Sequence, residues 1–130
     1  MGSPSRGELI EARLRYNANA EDHLHPDESD PDWWAVMELM MLQVRDRDDA
    51  WNLMADIARM AYTDWQLVAV GCSPLESFLM LDRDRYLAAL EESAPTNRNL
   101  VIAAACIWLD REPFRPRIDA LLRKYDQARM

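Results

Sequence analysis

The run Leu100-Val101-Ile102-Ala103-Ala104-Ala105-Cys106-Ile107-Trp108-Leu109 is apolar throughout, and whether it is strand or helix decides the fold. By run length alone it suits a buried strand. Its centre is three successive alanines, which are poor strand formers and the best helix formers. The run therefore reads as a buried helix, capped by Thr96 or Asn97.

Outward from there, helix signals continue in both directions. After Pro113, the residues Phe114, Ile118, Leu121, Leu122 and Tyr125 repeat at helical spacing. Asp119 and Arg123 form a favourable i, i+4 pair, and Arg123, Lys124 and Arg129 suit the negative helix end. Before Pro95, a helix opening at Asp82 or Arg83 turns Tyr86, Leu87 and Leu90 inward. A short helix over 64–70 is expected to stop at Gly71 in the left-handed conformation. Ser73, Pro74 and Glu76 then read as a capping box that opens the next helix. Asp48 or Asp49 caps a helix reaching about Ala61, whose Asn52, Asp56 and Arg59 make one wet stripe. Asp30 and Pro31 open a helix from Trp33 to Val44 in which only Glu38 and Gln43 are polar. Such a cylinder belongs at the centre of a fold or at a subunit interface. Ser5 and Glu8 make a capping box for a first helix to about Ala18, with Leu9, Ile10, Leu14 and Tyr16 on its apolar side. The expectation is an all-α protein of seven to eight short helices, packed as stacked antiparallel pairs in a bundle or HEAT-like array.

Its 130 residues are 49% hydrophobic and 29% charged, a globular composition with room for one domain over 1–130. No apolar run reaches the length of a membrane span, and no basic region leads into an apolar stretch at the N-terminus. The formal charge of −8 argues against unaided binding to nucleic acid. Cys72 and Cys106 have no metal-ligand or redox spacing and read as reduced core thiols. A cytoplasmic protein is expected. Glu21 to Asp32 carries six carboxylates, no cation and two prolines, so it reads as an acidic linker.

Residues 51–108 run from Trp51 through Leu53, Ile57, Leu67 and Val70 into Gly71-Cys72-Ser73-Pro74-Leu75-Glu76-Ser77-Phe78-Leu79, and close at Trp108. This resembles a family of bacterial all-helical domains of unknown function with a Gly-x-x-Pro-Leu-Glu-x-x-Leu signature and a late Trp. Ser73 stands where that family usually has a second glycine. The resemblance implies a small helical bacterial protein and no particular chemistry. Gly71, Ser73, Pro74, Leu75 and Glu76 are read as structural, since each fits a role at a helix end.

No motif carries catalysis. Gly71-Cys72-Ser73-Pro74 lacks the second glycine of a nucleophile elbow, because position 75 is Leu, and both histidines lie in the linker. His23 and His25, with Glu21, Asp22, Asp27 and Glu28, suggest a solvated loop rather than a metal site. Asp82, Asp84, Glu91 and Glu92 lie on expected wet surfaces. No catalytic residue, cofactor or metal is assigned. Met37, Met40 and Met41 read first as core, with an adaptable partner surface as the alternative. Adjacent tryptophans point about 100° apart on a helix, so Trp33 and Trp34 cannot both face one core. They and the acidic Asp27, Glu28 and Asp30 are the candidate contacts to a protein partner or a second copy. The expected function is that of a non-enzymatic interaction module, such as a regulator or a toxin-neutralising immunity protein. The alternative is a ligand-binding or enzymatic helical domain with an aromatic pocket near Trp51, Trp65 and Trp108.

Overall fold

Short polar side chains set most helix starts in the computed structural model, which describes residues 4–19, 28–105 and 114–126. Ser5 Oγ accepts the Glu8 N–H at 3.1 Å and the Ser5 N–H donates to Glu8 at 3.4 Å, so the expected capping box opens α1 (Arg6–Asn19). Eight α-helices occupy the described residues: after α1 come α2 (Trp33–Arg45), α3 (Arg47–Met60), α4 (Asp64–Val70), α5 (Glu76–Leu81), α6 (Arg83–Ser93), α7 (Arg98–Ala105) and α8 (Phe114–Asp126). Among those residues there is no strand, and no helix is long and apolar enough to cross a membrane. The all-α expectation holds.

Two caps differ from the expected ones. Asp46, not Asp48 or Asp49, caps α3, accepting the Asp49 N–H at 3.1 Å from an extended backbone. Asp30 and Pro31 lie in a turn ahead of α2. There Asp30 Oδ1 accepts the Asp32 N–H at 2.8 Å, two residues on, and Asp32 holds the N-cap position. In both places several carboxylates compete within a few residues, and local sequence does not rank them.

The larger correction is at Gly71. It does not end a helix in the left-handed region: its φ of −64° and ψ of −47° are right-handed helical, and its N–H donates to Leu67 and Val68. The chain runs on through one π turn, Gly71–Leu75, directly into α5. Leu75, in the N-cap position, is itself helical, so no free helix start exists for Ser73 and Glu76 to cap. Proline lacks an N–H, and its ring clashes with the carbonyl four residues back. A widened π turn is one way to seat Pro74 without breaking the rod. Keeping it continuous sets Val70, Leu75, Phe78 and Leu79 into the core together.

Leu100, Val101, Ala103 and Ala104 of α7 are all buried, and α7 touches α3, α4, the π turn, α6 and α8. The apolar run is thus a central helix as far as Ala105, and its remainder lies outside the described residues. In a linear repeat array each unit meets only its neighbours. Here α1 also packs on α2, α3 and α4, which makes the protein a bundle rather than a HEAT-like stack. Trp51, Phe78 and Tyr86 form an aromatic knot between α3, α5 and α6, with ring centroids 4.9 to 5.3 Å apart.

Two buried amides lock the helices in register. Gln66 donates from Nε2 to the Leu14 carbonyl at 3.0 Å, and its Oε1 accepts the Tyr62 and Thr63 N–H groups. Thr63 in turn accepts the Gln66 N–H, a capping box that starts α4. Asn97 donates to the Ala55 carbonyl at 2.9 Å while accepting the Leu100 N–H, as expected for the α7 cap. Replacing Gln66 by Leu strands three backbone groups and should cost about 2–4 kcal/mol in denaturant unfolding. The buried Tyr86 hydroxyl has no hydrogen-bond partner, so Tyr86→Phe should leave stability unchanged or raise it in the same measurement.

Candidate functional site

Helix α2 buries only Ala35, Val36 and Leu39. Met37, Met40 and Met41 are exposed, and Val44 is 87% exposed. The expectation that the methionines are core is therefore wrong. Among the described residues α1 and α3 are the elements packed closely on α2, and they leave these side chains uncovered. This outer face continues onto α5: Met40 and Val44 line a groove of about 490 Å³ together with Gln43, Met80 and Leu81. Met80 is 69% exposed. The Gln43 Nε2 atom is buried and has no acceptor.

Met40 is also shared with a second, deeper groove of about 470 Å³, walled by α1, α2, α4 and the π turn. Trp33, Val36, Met37, Ala69 and Cys72 form its apolar sides. Trp33 packs on Tyr16 with ring centroids 5.8 Å apart. Two polar side chains from α1 also line it: Arg13 and Asn17, 4% and 1% exposed. Arg13 Nε and both terminal atoms of Asn17 have no hydrogen-bond partner. The Arg13 guanidinium lies 5.8 Å from the Tyr16 ring centroid, a cation–π contact that offsets part of its lost hydration.

Burial pulls the Arg13 pKa down from its ordinary value to about 10. The group is still charged at neutral pH, so the shift corresponds to a penalty of roughly 3 kcal/mol on the folded state. The folded-state pKa is lowered on a cation. The penalty is therefore complete below about pH 10 and lifts as the pH rises from there toward the ordinary guanidinium range, where only the unfolded chain keeps the proton.

The structure divides the residues singled out from sequence. Trp33 and Trp34 are both half-buried, and Trp33 lines the deeper groove, with exposed Glu28 at its edge. Asp30 is occupied by the turn before α2. Beside it, Asp32 takes a two-pronged contact from Arg15, at 3.1 and 2.9 Å, which ties α1 to the start of α2. Asp27, His23, His25, Cys106 and Trp108 lie outside the described residues. Gly71, Pro74 and Leu75 are buried, Glu76 is half-buried, and Ser73 sits within the π turn. Cys72 is a half-buried thiol on the groove wall rather than a core residue. An aromatic pocket from Trp51 and Trp65 does not form: Trp51 fills the core and Trp65 is 52% exposed. Among the described residues no three His, Cys, Asp or Glu side chains come together as metal ligands.

Arg13 and Asn17 were not singled out from sequence. Their signal is positional: Ile10, Arg13, Leu14 and Asn17 follow i, i+3, i+4, i+7, so the two polar residues share the inward stripe with Ile10 and Leu14.

No curated protein and no solved structure matched the chain. A family model did match, over residues 22–126. That span begins after α1, so the deeper groove joins three residues from outside it, Arg13, Tyr16 and Asn17, to a wall from within it. The protein belongs to that family, a family of unknown function (DUF6869).

Proposed function

We propose that the protein acts by protein–protein contact, without chemistry of its own, and that the outer face of α2 joined to α5 is its docking surface. The observation that carries this is the continuous apolar strip from Trp33 and Met37 through Met40 to Val44, Met80 and Leu81. Leaving large apolar side chains wet forgoes about 1.5–3 kcal/mol each, and contiguous exposure of this kind marks interaction surfaces. Methionine side chains adapt to irregular partners. A groove between two helices suits an amphipathic helix laid along it. The buried Gln43 side-chain N–H is a donor that an acceptor on such a helix would satisfy.

The chain's charge of −8 favours a partner helix with a basic rim. It disfavours a second copy, because like charges would be brought together. The acidic Glu28 at the edge of the strip agrees with that choice.

A designed amphipathic helix of leucine and lysine serves as the probe. It should bind at equimolar ratio, more weakly at high salt, whereas its leucine–glutamate counterpart should not. Met40→Glu and Met80→Glu should each weaken binding roughly tenfold or more while leaving the circular dichroism spectrum unchanged. Equal binding of both peptides, no binding of the basic one, or indifference to both substitutions contradicts the reading. A concentration-dependent dimer dissolved by Met80→Glu would instead give the surface to a second copy.

A further inference from the structure

We propose that the groove between α1, α2 and the π turn is a binding site for a small organic monocarboxylate with an apolar or aromatic body, held through Arg13 and Asn17. This goes beyond the docking surface: the ligand is held by Arg13 and Asn17, which the docking surface does not use, while Trp33, Met37 and Met40 are common to both. A buried guanidinium whose Nε–H meets no acceptor, and which no carboxylate of the described residues pairs, is a configuration that folding disfavours. It persists here beside a buried amide whose donor and acceptor are also unused. No carboxylate of the described residues pairs with Arg13; the aromatic ring of Tyr16 is its electrostatic neighbour.

One group resolves two of the three unsatisfied sites, the two donors. A carboxylate accepts from Arg13 in a fork and accepts an amide N–H from Asn17, whose carbonyl oxygen remains for a hydroxyl or amine on the same ligand. The walls choose the ligand's body. Trp33, Tyr16, Val36, Met37 and Met40 offer aromatic and apolar surface, and about 470 Å³ falls within the usual size of small-molecule sites. Charge sets the upper limit. One guanidinium balances one negative charge, while Glu28 on the groove wall and the net −8 of the chain repel a dianion. An apolar monocarboxylate fits, and phosphate does not.

The test uses phenylacetate, with inorganic phosphate and benzylamine at matched ionic strength as the contrasting probes. Phenylacetate should raise the unfolding temperature saturably and bind in isothermal titration, and the other two should do neither. Arg13→Met should raise the unfolding temperature of the unliganded protein, because it removes a buried charge that no carboxylate of the described residues pairs, and should abolish the response to phenylacetate. Arg13→Lys keeps the charge but loses the fork, and should weaken binding roughly tenfold or more. Met80→Glu does not touch this groove and should leave phenylacetate binding intact, which separates this site from the docking surface. Equal stabilisation by phosphate would make it a general anion site, and equal stabilisation by benzylamine a merely apolar cleft. Either result overturns the proposal. So does a saturable response that survives Arg13→Met, a failure of wild type to respond to phenylacetate, or an Arg13→Met protein less stable than wild type.

Discussion

Burial of Leu100, Val101, Ala103 and Ala104 in α7 is the constraint on which the rest of the architecture depends. Alanines at 103 and 104 let neighbouring backbones come close, so α3, α4, the π turn, α6 and α8 can all meet one short helix. Asn97 fixes where that helix starts and hooks it to α3 through the Ala55 carbonyl. The aromatic knot of Trp51, Phe78 and Tyr86 then fills the space between α3, α5 and α6. Directional bonds set register, while the apolar packing supplies most of the favourable free energy.

A core arranged around α7 leaves α2 at the edge. Among the described residues α2 buries Ala35, Val36 and Leu39 alone, yet its sequence is apolar nearly all round. The surplus apolar surface lies outside and continues onto α5. On the inner flank, α1 brings under cover an Arg13 Nε–H and an Asn17 amide that have no hydrogen-bond partner. Both features lower stability in isolation. Proteins sit only several kcal/mol above unfolding, and in the two proposals each feature is the half of a contact that a second molecule completes.

Helix starts set by near neighbours were legible in part: the caps of α2 and α3 fall at Asp32 and Asp46 rather than at Asp30 and at Asp48 or Asp49, while others stand where sequence places them. Ser5 with Glu8, Asp82 at the start of α6 and Asn97 at the start of α7 all act as caps. The inward set Tyr86, Leu87, Leu90 is buried as its spacing requires. Errors arose where tertiary burial outweighed local signals. Gly71 and Pro74 punctuate a chain in isolation, but here a π turn carries the rod past them because the residues on either side share one core. The amphipathic character of α2 was not legible for a related reason. When a helix is apolar on every side, its sequence does not say which side the fold will use. Arg13 and Asn17 escaped attention because polar residues are assumed to face water, although their spacing placed them inward.

The account turns on α2 showing its methionines to solvent while the core keeps its own. Brief oxidation with hydrogen peroxide, followed by peptide mass spectrometry, measures this residue by residue. Met40, Met41 and Met80, all more than half exposed, should convert to sulfoxide rapidly, and Met54, 0% exposed, should resist until the protein unfolds. Protection of Met40 and Met80 equal to that of Met54 in the isolated chain would contradict the account.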